Sequence, residues 1–189
     1  MRARGFVGMV RRSMDETRRS WGVLAAVVVV GVALDQIAKQ LAEAFLRGQG
    51  LVTVVEGFFE LRYARNPGAF FSLGADLGPS VRRVFFIAAS AAASALIVRL
   101  YAKSEPGQRL FRGSLALLLA GALGNLVDRV LWGEVIDFVH LYWRGVFDWA
   151  TFNVADTYIV GGLALLVVDT FRRGGDRVNG AAAAEETST

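Results

Sequence analysis

Cysteine is absent from the 189 residues and histidine occurs once, at His140. The first absence removes disulfides, thiolate metal sites and cysteine nucleophiles together. The second leaves no partner for a histidine-based metal cluster. Long charge-free runs are missing as well. The four most apolar stretches, Gly22–Leu34, Val84–Val98, Gly113–Val127 and Thr157–Val168, each end after 12 to 15 residues. As helix they measure ~18–22 Å, short of a ~30 Å hydrocarbon core.

What is present points to lipid nonetheless. Apolar residues make up 54% of the chain, and the 21 glycines bring the share to about 65%, where ordinary soluble domains lie near 45–50%. Mean hydropathy is +0.42. Runs such as Ala25–Val30 and Ala88–Ala95 have no polar face, which excludes surface helices of a soluble bundle. Each span must therefore continue through charged residues that have a reason to be there. The length suits one domain with four spans of ~20 residues.

The net charge of +4 could suggest nucleic acid in a soluble chain, but its distribution reads as membrane orientation. Six arginines (2, 4, 11, 12, 18 and 19) precede the first span, Arg99–Arg112 holds four basic residues, and Arg172, Arg173 and Arg177 follow the fourth span. Those thirteen face seven on the other side: Arg47, Arg62, Arg65, Arg82, Arg83, Arg129 and Arg144. The asymmetry predicts that both termini are cytoplasmic, although Arg82 and Arg83 narrow it. A cleaved leader is not expected, because a small-x-small site, Ala42-Glu43-Ala44, lies about eight residues past the apolar run, beyond Asp35 and Lys39. The expected organisation is a basic cytoplasmic arm over 1–20, a membrane domain over 21–173, and a disordered cytoplasmic tail over 174–189.

Two connections carry further signals. Leu51–Tyr63 is β-branched at first, offers a turn at Glu56-Gly57, then alternates Phe59, Leu61 and Tyr63 with Glu60 and Arg62. This predicts a small hairpin or curved strand pair, about 51–65, with one greasy face to rest on lipid or cover a site. Trp132, Tyr142, Trp143 and Trp149 mark an interfacial aromatic belt.

Ionisable groups inside a span cost ~2.5–3.5 kcal/mol each, so each calls for an explanation. Followed outward, Asp35 and Lys39 lie ~20 and ~26 Å along the first helix, and Asn125, Asp128 and Arg129 lie ~18–24 Å along the third. The fourth begins near Asn153 and Asp156. Topology alone gathers these groups in the outer leaflet. Asp35 and Lys39, one turn apart, read as an ion pair that orients the first helix. Asp128 beside Arg129 reads as ionised and occupied. Asp137 has apolar sequence neighbours and Asp156 opens a span, so desolvation acts on both. Two carboxylates close together in a low dielectric cannot both ionise; one keeps a proton and the other serves as base toward water. Asp137 with Asp156 is the expected pair, titrating as a unit.

Five blocks carry a resemblance: Asp35-Gln36-Ile37-Ala38-Lys39, Asn66-Pro67-Gly68-Ala69-Phe70, Gly124-Asn125-Leu126-Val127-Asp128-Arg129, Val135-Ile136-Asp137-Phe138 and Phe152-Asn153-Val154-Ala155-Asp156. In this order, over about residues 22–172, the chain resembles the lipoprotein signal peptidase (signal peptidase II) family. The resemblance implies an all-α membrane protein of four transmembrane helices with a small extracytoplasmic β-cradle. It implies a monomeric aspartyl endopeptidase of the bacterial inner membrane, active at the outer leaflet. Its substrates would be prolipoproteins, cut before a diacylglyceryl-modified cysteine. Membrane lipid would be its other partner, with no nucleic acid, no cofactor and no metal. It puts the catalytic pair on Asp137 and Asp156, substrate binding on Asn66, Asn125, Arg129 and Asn153, and structural support on Asp35, Lys39 and Asp128.

Three rival readings are weighed against it. Lys39 with Ser72 could form a Ser/Lys dyad, though Asp35 already satisfies the lysine. Buried carboxylates also suit a small transporter or proton path, but these gather on one side instead of crossing the membrane. A carboxylate-bound divalent metal is the third. His140 is expected at headgroup level, not as a base.

Overall fold

The computed structural model describes the backbone of residues 2–68 and 78–186, and the side chains of residues 16–68 and 78–173. The elements run α1 (Arg2–Leu46), β1 (Leu51–Val55), β2 (Phe59–Asn66), α2 (Pro79–Lys103), α3 (Arg109–Leu131), β3 (Val135–Trp143), β4 (Phe147–Asp148) and α4 (Val154–Glu186). Four helical segments have the length and apolar character to cross a bilayer: Glu16–Leu46, Pro79–Lys103, Arg109–Leu131 and Val154–Arg173. The shortest, 20 residues, spans ~30 Å. The short apolar runs of the sequence are thus the middles of longer helices whose ends carry the charged residues. The protein is a multi-pass membrane protein.

The third helix is central. It packs most extensively on α4, then on α2 and α1. Small residues permit the close crossings: Gly121 lies under the Ala155 carbonyl, where a side chain would collide, and Gly124 faces the Asp35 carboxylate. Toward one end, Leu24, Tyr101, Leu115, Ala116 and Leu119 form a buried apolar cluster. The outward faces carry exposed Val29, Val30, Leu34, Phe85, Leu96, Val160 and Leu163, the surface expected of a bundle solvated by acyl chains.

A four-stranded antiparallel sheet in the order β1-β2-β3-β4 covers the other end. The hairpin read from Leu51–Tyr63 is present. Gly57 sits at φ +78°, a conformation that suits glycine, and the Phe58 N–H donates to the Val55 carbonyl at 3.1 Å. Between the pairs Leu61–Val139 and Ala64–Asp137, β2 carries one residue more than β3, a bulge that bends the ladder beside Asp137. After β4 the chain returns along β3, where Phe138 and Val139 donate to the Phe152 carbonyl at 3.0 and 2.8 Å. That return delivers Asn153 and the start of α4 next to Asp137.

Two findings differ from the sequence reading. The third-to-fourth connection, read from the sequence only as an aromatic belt, is mostly strand: Val135–Phe138 are all buried, with Asp137 set among apolar Val135, Ile136 and Phe138, and they pair with a strand some 70 residues earlier. The backbone of α4 also remains helical to Glu186, across a segment expected to be disordered. Once a helix is nucleated each further residue adds a hydrogen bond, and Ala181–Ala184 are strong helix formers.

Candidate active site

The polar groups meet at the sheet-covered end of the bundle, in two connected layers. The lower layer is an ion cluster without access to solvent. Lys39 Nζ lies 2.8 Å from Asp35 Oδ2, 2.8 Å from Asp128 Oδ2 and 3.0 Å from Asn125 Oδ1. Lys39 and Asp35 are 0% exposed and Asp128 1%. Gln36 adds a donor to Asp128 Oδ1 at 2.8 Å. A buried charge is tolerable only when paired and hydrogen-bonded, and every carboxylate here is. Each also grips the chain just before one of the upper aspartates. Asp35 Oδ1 accepts from the Ala155 N–H at 2.8 Å, and Asp128 Oδ2 from the Ile136 N–H at 3.2 Å.

This corrects the sequence reading of Asp128. Its partner is Lys39 from α1, not the adjacent Arg129, because consecutive residues on a helix point about 100° apart. Arg129 turns toward α2 instead: its guanidinium lies 5.5 Å over the Phe86 ring, 3.3 Å from Ser90 Oγ and 3.4 Å from the Asn125 carbonyl. Its charge faces Asp156, Asp128 and Asp137.

The upper layer holds Asp137 on β3 and Asp156 in the first turn of α4. Asp137 Oδ2 accepts from Asn66 Nδ2 at 3.0 Å, and its Oδ1 from Asn153 Nδ2 at 2.6 Å. Asp156 Oδ1 accepts from Asn125 Nδ2 at 2.8 Å. Asn153 and Asp156 also close a reciprocal cap on α4. The Asp156 N–H donates to Asn153 Oδ1 at 2.9 Å, and the Asn153 N–H reaches Asp156 Oδ2 at 3.3 Å. Asn153 thus binds both aspartates and, through Asn125 Oδ1 at 3.2 Å, the lower layer. Asn66 is itself fixed by the Gly68 N–H at 2.9 Å, an Asx-type turn.

Burial pushes the Asp137 carboxyl up to about 6. The Asn66 amide works against that rise, the Asp156 charge adds to it, and the Asn153 amide opposes it. Asp137 is 2% exposed and Asp156 partly exposed, so the pair stands at the edge of the buried zone.

Every expected site residue outside the lower layer is therefore gathered here: Asn66, Asn125, Arg129, Asp137, Asn153 and Asp156. Ser72, considered with Lys39 as a dyad, lies outside the described residues. His140 is three residues along β3 from Asp137, hence on the opposite face, where Glu60 (3.2 Å) and Asp148 (2.8 Å) flank its ring. Sequence reasoning missed Gln36, Phe86 and Ser90. Gln36 sat inside a quoted block, whereas Ser90 lies in an alanine-rich run with no signal to mark it.

Residues 27–172 match the family model described as signal peptidase (SPase) II. The chain belongs to the signal peptidase II family. It is a peptidase by that membership. Among its relatives, the lipoprotein signal peptidase of Geobacter sulfurreducens is 42% identical over 153 residues, covering 81% of this chain and 94% of that protein. The lipoprotein signal peptidase of Cupriavidus necator is also 42% identical, over 163 residues, covering 86% and 89%. A solved bacterial membrane enzyme, determined by the in meso method, superposes with a TM-score of 0.72 at 27% identity, covering 82% of this chain and 91% of that one.

Proposed function

We propose that this signal peptidase II family member cleaves prolipoproteins just before a diacylglyceryl-modified cysteine, with Asp137 and Asp156 as its catalytic pair. The observation that carries the pair is Asn153, whose amide donates to Asp137 while its backbone and carbonyl exchange hydrogen bonds with Asp156. One asparagine fixes two carboxylates from separate elements at one spot, and a carboxyl raised to about 6 exchanges its proton close to neutral pH, as an acid–base group needs.

In the reaction, one carboxylate takes a proton from water as the oxygen bonds to the scissile carbonyl carbon. The other, protonated, hydrogen-bonds the carbonyl oxygen, which gains negative charge. Collapse of the tetrahedral adduct breaks the C–N bond, and the departing amine takes a proton from the pair. Arg129, held only by long contacts, has guanidinium N–H groups to turn toward the oxyanion or the substrate backbone. Asn66 and Asn153 line the same space. The ion cluster of Asp35, Lys39 and Asp128 supports the pair from below.

In this reading both termini are cytoplasmic and the catalytic end lies at the outer leaflet of the inner membrane, which the excess of basic residues on the opposite side supports. Arg83, on the less basic side, has a local reason for its position: it donates to the Val130 carbonyl at 2.5 Å, at the negative C-terminal end of α3. The protein acts as a monomer and needs no cofactor or metal. The signal helix of the substrate arrives by lateral diffusion. An apolar groove of about 650 Å³ between α1 and α3, lined by Val28, Val32, Leu123 and Val127, is a surface against which such a segment can pack. The lipid anchor then fixes the scissile bond at the depth of the pair.

The test compares a diacylglyceryl-modified proprotein with its unlipidated form in the presence of the purified protein. Cleavage of the lipidated form alone, before the modified cysteine, is expected. Equal cleavage of both forms would contradict the role given to the anchor.

A further inference from the structure

The network between the two layers has a direction that starts at Lys39. An ammonium group has three donors and no acceptor, so an asparagine beside it can present only its carbonyl. Lys39 Nζ lies 2.8, 2.8 and 3.0 Å from Asp35, Asp128 and Asn125 Oδ1, so all three donors are engaged. The Asn125 amide has no choice of flip. With its oxygen held on Lys39, its NH₂ must face the other way, where Asp156 Oδ1 receives it at 2.8 Å.

The same constraint passes to Asn153. Its Nδ2 donates to Asn125 Oδ1 at 3.2 Å and to Asp137 Oδ1 at 2.6 Å, which leaves its carbonyl for the Asp156 N–H at 2.9 Å. Were the Asn125 amide reversed, its oxygen would face a carboxylate and its NH₂ would face an ammonium. Both contacts would be repulsive.

We propose that Lys39 is a positioning residue for the peptidase reaction: by claiming the Asn125 carbonyl it directs the Asn125 NH₂ onto Asp156 and so fixes that carboxylate relative to Asp137. This rests on the reading of Asp137 and Asp156 as the catalytic pair, and it changes the part given to Asn125. The amide of Asn125 is occupied within the protein, so it orients a catalytic group instead of gripping substrate. The charged groups around Asp156 are Asp137 on β3, Arg129 and Asp128 on α3, and Lys39 on α1 with its partner Asp35; of these, Lys39 is the one that hydrogen-bonds the Asn125 side chain.

The decisive variant is Asn125→Asp, which keeps an acceptor for Lys39 but has no N–H for Asp156. Turnover of a diacylglyceryl-modified proprotein is measured with thermal unfolding in detergent as the check on folding. The expected result is a fall in kcat of about 10- to 100-fold with KM within about twofold. The double variant Lys39→Met/Asp128→Asn preserves the net charge of the ion cluster and releases the amide. Its kcat should fall comparably, and adding Asn125→Asp to it should give no further multiplicative loss. Wild-type kcat in folded Asn125→Asp overturns the proposal, as does a raised KM with kcat unchanged, which would return Asn125 to substrate binding. Independent, multiplying effects of the two changes also overturn it. If Asp156→Asn retains turnover, the catalytic pair itself is wrong, an outcome separate from all of these.

Discussion

Asp137 illustrates how one residue ties stability to chemistry. Its carboxyl rises from the ordinary 3.8 to about 6 chiefly because burial penalises the charged form. The folded state therefore prefers the proton more than the unfolded chain does. The resulting stability is fully present below about pH 3.8 and is lost as pH rises through about 6. Asp137→Asn cannot ionise, so its stability relative to wild type should improve across that window. The change should be on the order of 3 kcal/mol between pH 4 and pH 8, read from thermal unfolding in detergent. A gap independent of pH would argue against a buried, proton-holding Asp137. At this scale much of the site was legible. The apolar neighbours of Asp137, and the place of Asn153 and Asp156 at the start of the fourth span, are both legible in the linear sequence. The partner of Asp128 did not, because a choice between Arg129 and Lys39 depends on how α1 lies against α3.

Elements are where small residues decide the architecture. Gly124 faces α1 and α4 together: a Cβ there would sit 2.7 Å from Asp35 Oδ2 and 3.1 Å from Ala155 Cβ. Neither neighbour can retreat, since Asp35 is held by Lys39 and by the Ala155 N–H. Gly124→Val should therefore destabilise the fold by about 1–3 kcal/mol and separate Asp35 from the start of α4. Thermal unfolding in detergent measures the first effect, and an unchanged melting temperature would mean that α1 and α4 are free to move apart. The four helices were readable because apolar runs and flanking charges repeat at helical length. The first hairpin was readable because a turn sits between β-branched and alternating residues. The strand Val135–Trp143 was not, since its first four residues are all buried and show no alternation, and its pairing with β2 joins residues distant in sequence. That pairing is what seats Asp137 beside Asn66.

For the whole molecule, burying so many charges demands a return in function. The protein places Asp35, Lys39, Asn125, Asp128 and Asp156 in helices that are otherwise rich in alanine, valine and leucine, and gathers them at one end with Asn66, Asp137 and Asn153 from the strands and the start of α4. Packed apolar residues would stabilise such a bundle as well or better. The arrangement instead holds two carboxylates at the boundary between buried helix ends and a sheet, as the proposed acid–base pair requires. Turnover of a diacylglyceryl-modified prolipoprotein by wild type, Asp137→Asn and Asp156→Asn, each shown to be folded, tests this most directly. The account predicts that wild type cuts before the modified cysteine and that each variant loses essentially all turnover. Near-normal cleavage by either folded variant would contradict it.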